Sequence, residues 1–170
     1  QSAPEAPHFS FLAKGCFRQR APFSMPDEPS DILAQFNRRV QRISAGVILS
    51  VKENGSIDSQ ISNEPDAIYI KSADGKILIS NSAYVGFFAG DRSPIGRLGT
   101  SFLNETIIPI SEHSDAMVLD GCRCVQFDHI GHDSQGREIR MLTHKQSLLG
   151  LGHPTMAILG ITRVVEVLNN

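Results

Sequence analysis

The chain has 170 residues, a formal net charge of −2, 41% hydrophobic and 20% charged residues. This composition is typical of a soluble globular protein, excludes a fibrous or low-complexity chain, and gives no reason to expect direct binding to nucleic acid or to anionic membranes. Three cysteines are few and odd in number, which argues against a disulfide framework. No apolar run approaches the roughly 20 residues that cross a bilayer. We therefore expect a cytoplasmic protein. Because the chain begins with Gln1 rather than Met, we also expect a fragment whose effector domain lies outside it.

Residues 1–29 are rich in proline and have no sustained hydrophobic period, which predicts an irregular arm. Residues 30–52 then follow the pattern of an amphipathic helix. Its apolar positions recur at spacings of 3, 4, 3 and 4, as in a heptad seam, and they are Leu33, Phe36, Val40, Ile43 and Val47. The seam predicts either a homodimer interface or packing against the chain's own sheet, and we prefer dimerisation. Residues 53–65 read as a polar connector.

The remainder alternates strands with short helical segments. Two strands at 67–71 and 76–80 flank an Asp74-Gly75 pair, which is a strong signal for a β-hairpin. Asn81 is a candidate N-cap for the helix that follows. Further helices are predicted at 100–103 and 111–119, and three longer strands at 123–130, 137–148 and 155–165. The order is strand, strand, helices and then three strands.

This order, and several short motifs in it, resemble the PAS family of sensory domains from bacterial signalling and regulatory proteins. Three segments of this chain resemble the opening of PAS domains. They are Pro-Asp-Ala-Ile-Tyr-Ile-Lys at residues 65–71, Asp-Gly-Lys-Ile at 74–77 and Asn-Ser-Ala-Tyr at 81–84. The middle of the family is matched by Ile-Gly-Arg at 95–97 with Ser-Phe-Leu at 101–103, and by Asp115 with the Val-Leu and Gly that follow it. The last strand is matched by residues 158–163. Many family members continue with Asp-Ile-Thr, where this chain has Val-Val-Glu, so the resemblance favours output through the N-terminal helix.

The resemblance implies an α+β fold over residues 66–166, with a five-stranded antiparallel sheet and short helices between its second and third strands. It also implies a sensor that binds a small ligand or partner, dimerises and passes a signal to an effector. We expect a pocket between the sheet and the helices, although ordinary core packing is the alternative for every candidate. Strand parity and the facing segments give the candidates Ile68, Ile70, Phe88, Phe102, Ile107, Met117, Val118, Met156 and Ile158.

The sequence also allows three alternative functions. Some oxygen-sensing PAS domains hold haem through a histidine before the third strand, and His113 lies on that segment, so haem is an alternative cofactor although we expect none. The absence of the family's flavin-binding cysteine motif excludes a photoactive flavin adduct. A filled core would make the domain a structural dimeriser, and a small enzyme is the alternative of a different class, although no catalytic motif is present.

Two polar clusters are candidates for a metal site or a redox site. Residues 128–133 contain His129 and His132 in the pattern of a hairpin turn, without a third ligand at a recognised spacing, so we expect an exposed turn and no metal. Cys122 and Cys124 lie on one face of a predicted strand and could support redox chemistry. A Cys-x-Cys pattern without a second pair favours structural thiols instead.

Overall fold

The computed structural model describes residues 9–12, 16–19 and 30–168. Its strands are β1 (Phe9–Leu12), β2 (Cys16–Gln19), β3 (Ala67–Lys71), β4 (Ile77–Ser80), β5 (Cys124–His132), β6 (Glu138–Ser147) and β7 (Ile158–Val167). Its α-helices are α1 (Ser30–Lys52), α2 (Asp58–Ile61), α3 (Ser82–Tyr84) and α4 (Ile108–Leu119), with a π-helical turn at Val85–Ala89 and a 3-10 turn at Gly99–Phe102. In the described part of the chain, no helix is both long and apolar enough to cross a bilayer.

The strands form one sheet in the order β1-β2-β5-β6-β7-β3-β4. The predicted five-stranded antiparallel sheet is its central part, from β5 to β4, and the helices lie between β4 and β5 as expected. Two short strands extend the edge, because β2 pairs with β5 in parallel and β1 with β2. The structure thus differs from the prediction of an irregular arm at residues 9–12 and 16–19, which are too short to show a period in sequence.

The hairpin between β3 and β4 has the predicted turn. Gly75 has φ of 85°, a conformation that few residues other than glycine adopt. Gly75 N–H donates to the carbonyl of Ser72, which closes the turn. The Asp-Gly signal therefore predicted both the turn and its position.

Helix α1 packs against the sheet of its own chain. Four of the five heptad residues are at most 5% exposed, and they pack with Ile68 and Ile70 of β3 and Leu159 and Ile161 of β7. The fifth, Leu33, packs beside this cluster. Of the two interpretations of the seam, the structure has intramolecular packing, so the seam is not also available for a dimer while α1 stays on its sheet. The periodicity reports one buried face, and it does not report which surface buries it.

Polar contacts fix the position of α1. Arg39 Nη1 donates to the Asp66 carboxylate just before β3 over 3.1 Å. Gln126 Nε2 of β5 donates to Asn37 Oδ1 over 3.0 Å. Residues 53–65, predicted as a polar connector, contain α2 and bury Ile57 and Ile61 in the same core. The connector is thus part of the α1 layer.

Asn81 joins the hairpin to the helical layer. Its Oδ1 accepts hydrogen bonds from the backbone N–H of Tyr84, as the predicted N-cap, and of Ile68. Its Nδ2 donates to the carbonyls of Asp66 at 2.8 Å and Ile61 at 3.1 Å. One buried side chain therefore satisfies backbone groups from α2, β3 and α3.

We expect the double substitution of Phe36→Glu with Ile43→Glu to unfold the protein. The lost burial of two large side chains alone is worth about 3 to 6 kcal/mol, and two buried carboxylates add to the loss. Gln35→Glu with Gln41→Glu adds the same charges at exposed positions of α1 and should change stability little. Urea unfolding followed by circular dichroism measures both, and a folded, stable Phe36/Ile43 variant would contradict the intramolecular packing.

We expect Asn81→Ala to lower the free energy of unfolding by about 2 to 4 kcal/mol, because it leaves several buried backbone groups unpaired. Ser82→Ala, at the exposed neighbouring position, is the control. Both are measured by urea unfolding. A loss below about 1 kcal/mol for Asn81→Ala would mean that water or a local shift replaces these bonds.

Candidate functional site

A small cavity lies between the sheet and the helical layer, on the face of the sheet opposite α1. The space open to the centres of water-sized spheres is about 50 Å³, enough for roughly four water molecules. Its lining is largely aromatic and aliphatic, with a few polar side chains, and comprises Tyr69, Lys71, Tyr84, Phe88, Gly99, Leu103, Ile107, Ser111, Phe127, His129, Met141, Thr143, Lys145 and Thr162. A mainly apolar lining with a few polar groups is typical of a small-molecule site.

The Tyr69 side chain forms part of the cavity wall, and its position depends on a glycine in the neighbouring strand. Tyr69 of β3 lies opposite Gly160 of β7 in the register. A Cβ at position 160 would lie 2.0 Å from Tyr69 Cζ, so a side chain here would displace the ring. The glycine of the Leu-Gly-Ile motif therefore makes room for Tyr69, which also packs 5.3 Å from Tyr84 between ring centres.

Asp115 of α4 binds two buried lysines from different strands. Lys71 Nζ of β3 donates to Asp115 Oδ2 over 2.9 Å, and Lys145 Nζ of β6 donates to Asp115 Oδ1 over 2.6 Å. Lys145 Nζ also donates to the carbonyl and hydroxyl oxygens of Ser111, at 3.0 and 3.1 Å. The lysines are 3% and 2% exposed. This cluster, which we call the Asp115 cluster, holds the helix against the sheet beside the cavity.

Burial shifts the proton equilibria of the Asp115 cluster. Burial, and then the charge of Lys71, lower the pKa of Lys145 from 10.5 to about 7, although Asp115 opposes the shift. Burial also acts to raise the pKa of Asp115. The charges and hydrogen bonds of the two lysines outweigh that effect and hold this pKa below its ordinary value. Asp115 is therefore ionised at neutral pH, while Lys145 is close to its midpoint.

A second polar group, His129 of β5, lies on the cavity wall with one ring nitrogen unpaired. His129 Nε2 is 3.0 Å from Thr143 Oγ1, which is 2.9 Å from Thr162 Oγ1. His129 Nδ1 is buried and has no hydrogen-bond partner among the described residues. Burial, and then the charge of Lys145, lower the pKa of His129 to about 3, so the ring is neutral. An unpaired buried polar atom of this kind costs about 1 to 3 kcal/mol.

The predicted pocket residues are only partly brought together. Phe88 and Ile107 line the cavity, and Phe102 packs in the adjoining core, with its ring 6.3 Å from that of Tyr84. Ile68 and Ile70 share one face of β3, as predicted, but that face lies under α1, so neither residue lines the cavity. The remaining four pack in neighbouring cores and do not line the cavity: Met117, Val118, Met156 and Ile158.

The sequence does not show which face of β3 borders the cavity, because every residue of β3 is buried. Both faces of this strand are covered, so the pattern of polar and apolar residues cannot tell the two faces apart. Lys71 and Lys145 are absent from the predicted pocket residues for a related reason. A lysine within a predicted strand gives no signal of burial by itself, although Met141, Thr143 and Lys145 share one face of β6.

The candidate haem, metal and thiol residues do not form a common site in the described part of the chain. His113 lies on the exposed side of α4 and does not line the cavity, so the structure does not support the haem alternative at this site. His129 is buried within β5, which corrects the expectation of an exposed turn, whereas exposed His132 contacts Asn104. Cys122 is a free thiol, while Cys124 is disulfide-bonded. The described residues contain no cluster that could hold a metal ion.

Comparison with solved structures identifies the fold. The PAS domain of a Colwellia psychrerythraea protein has a TM-score of 0.54 at 13% identity and covers 63% of this chain and 92% of its own. The PAS domain of a LuxR-family regulator from Burkholderia thailandensis, in complex with ethanol, has a TM-score of 0.50 at 15% identity and covers 65% and 97%. The Vibrio cholerae VqmA dimer has a TM-score of 0.53 at 14% identity and covers 60% and 47%.

No protein-family model and no curated protein matches the sequence. The identities are low, so the comparison speaks to the fold and not to the ligand. The TM-scores of these neighbours, 0.50 to 0.54 over 60 to 65% of this chain, support a shared fold. The chain therefore has the PAS fold that its sequence resembles.

Proposed function

We propose that residues 66–166 form a sensor that binds a small organic molecule in the cavity between the sheet and α4, and that it is a regulatory binding module rather than an enzyme. The observation that carries the proposal is the unpaired, buried Nδ1 of His129 on the wall of a cavity that the core does not fill. Buried polar atoms are rarely left without partners, and a ligand that supplies one explains why this atom is retained.

The neighbours support a ligand of modest size. The Burkholderia thailandensis PAS domain was solved in complex with ethanol, and VqmA bound to DPO. In this chain, the aromatic rings of Tyr84 and Phe88 and the side chain of Ile107 supply apolar contact, and His129 supplies a polar one. This combination favours binding and orientation of a small amphipathic molecule.

We infer that binding acts on α1 through β3. Tyr69 and Lys71 face the cavity, while Ile68 and Ile70 of the same strand pack under α1. A ligand that shifts the first pair moves the backbone on which the second pair sits. Helix α1, rather than a C-terminal linker, is then the element that passes the signal to an effector.

We expect Phe88→Trp to report ligand binding by fluorescence. The chain has no tryptophan, so a single one at the cavity wall gives an emission that changes when a ligand replaces water. Phe87→Trp is the matched control, because Phe87 is half-buried next to Phe88 and does not line the cavity. A panel of small alcohols, ketones, acids and amides is titrated into both variants, with native mass spectrometry to identify retained ligands. If no compound shifts the emission of Phe88→Trp and none is retained, the sensor proposal is wrong.

We also propose that the full chain is a homodimer, a state that the VqmA neighbour is described as having. Because the heptad seam is buried within the protomer, the contact has to use other surfaces, and Leu49 on the outward face of α1 is 55% exposed. Sedimentation at several concentrations should show a dimer that Leu49→Glu weakens by at least tenfold without unfolding, since about 1.4 kcal/mol corresponds to that factor. A wild-type chain that stays monomeric at all concentrations would contradict the proposal.

A further inference from the structure

The charges beside the cavity do not balance. Lys71 and Lys145 share the single carboxylate of Asp115. The histidine that faces Lys145 from β5, His129, is neutral because its pKa is lowered to about 3. Tyr69, beside Lys71, stays protonated because burial raises the pKa of its hydroxyl well above 10. Two ammonium groups and one carboxylate leave a charge of +1 when both lysines are protonated.

The two lysines differ in what they offer to a ligand. Lys145 Nζ uses its three N–H groups on Asp115 and on the two oxygens of Ser111. Lys71 Nζ makes one hydrogen bond, to Asp115, and its other two N–H groups have no hydrogen-bond acceptor among the described residues. It lies 5.2 Å from the centre of the Tyr69 ring, on the cavity wall. Lys71 is therefore the donor, and Lys145 contributes charge.

The rest of the cavity restricts the anion. Its space suits a molecule of roughly five heavy atoms, and Phe88, Ile107 and Met141 present apolar surface. A dianion would exceed the available charge and bring an unmatched negative charge into an apolar site. The anion that fits this site carries one negative charge and has a short hydrocarbon chain.

We propose that the cavity binds a small monocarboxylate, whose carboxylate accepts hydrogen bonds from Lys71 Nζ and whose carbon chain packs against Phe88, Ile107 and Met141. The proposal rests on the proposed function, because it names the ligand class of the same cavity. It makes the domain a sensor of short-chain organic acids.

The state of Lys145 sets the pH dependence of binding. Its pKa is about 7, because burial and then the charge of Lys71 lower it against the opposing effect of Asp115. Below pH 7 the cluster already carries its positive charge. Above pH 7 a bound carboxylate has to draw a proton onto Lys145, so affinity falls as pH rises, by up to about tenfold per unit. The ligand stays ionised throughout, since carboxyl groups titrate near pH 4.

The test is an NMR titration of the ¹⁵N-labelled full chain with sodium propionate and with propionamide, its neutral counterpart of the same size, at pH 6.5 and 8.5 and matched sodium chloride. We expect propionate to bind with a dissociation constant of about 0.1 to 10 mM, as suits so small a ligand, and propionamide at least tenfold more weakly. Lys71→Met should weaken propionate by about 10- to 100-fold. Lys76→Met is the control, because Lys76 is exposed and pairs with Asp74 in the hairpin turn.

Each outcome separates the two proposals. Propionamide binding as tightly as propionate, equal propionate affinity at both pH values, or unchanged affinity in Lys71→Met overturns the assignment of a carboxylate and leaves the sensor proposal standing. Failure of propionate, propionamide and the whole panel of small alcohols, ketones, acids and amides to bind overturns the sensor proposal itself. The ligand pair and the pH series use the unaltered chain, so they decide the question if Lys71→Met does not fold.

Discussion

The hydrogen bonds from Lys71 and Lys145 to the Asp115 carboxylate are the constraint on which the cavity depends. They join α4 to β3 and β6, which are far apart in the chain, and they bring two buried lysines to one carboxylate. A buried ion pair gains little over apolar packing, but removing one partner leaves an uncompensated charge. The cluster is thus better explained by specificity than by stability. It fixes where α4 lies, and hence the cavity beneath it, and it orients Lys71 towards that cavity.

Strand β3 connects the two covered faces of the sheet. Its alternate residues contribute to the cavity on one side and to the α1 core on the other, because successive side chains of a strand point in opposite directions. Both faces are buried against other elements, so a shift of the strand on one face is felt on the other. Asn81 holds the end of β3 to α2 and α3 through its backbone bonds. This arrangement couples the position of β3 to that of α1, which is the route that we propose for the signal.

Much of the fold follows from local signals. The Asp-Gly turn, the Asn81 cap and the strand order are written in short segments, and they carried the PAS resemblance. The assignment of faces does not follow, because it depends on which helix covers which side of a strand that is buried throughout. The seam of α1 has the same ambiguity, since a heptad pattern reports an apolar face without its partner. The site was the least predictable part, because Lys71, Lys145 and Asp115 come together only through the register of β3 with β7 and of β7 with β6.

The shift in Lys145 links the chemistry of the site to the state of the domain. In the empty cavity the cluster can relieve its excess charge by releasing the proton of Lys145, at the cost of a weaker bond to Asp115. A carboxylate bound as proposed would supply the missing negative charge to Lys71 and so would favour the protonated form of Lys145. The proton would then remain on Lys145, and the hydrogen bonds from Lys145 to Asp115 and Ser111 would hold α4 against β6. In the proposed carboxylate complex, occupation of the cavity would therefore stabilise the contact between α4 and β6, whereas a neutral ligand would fill the cavity without changing the charge of the Asp115 cluster.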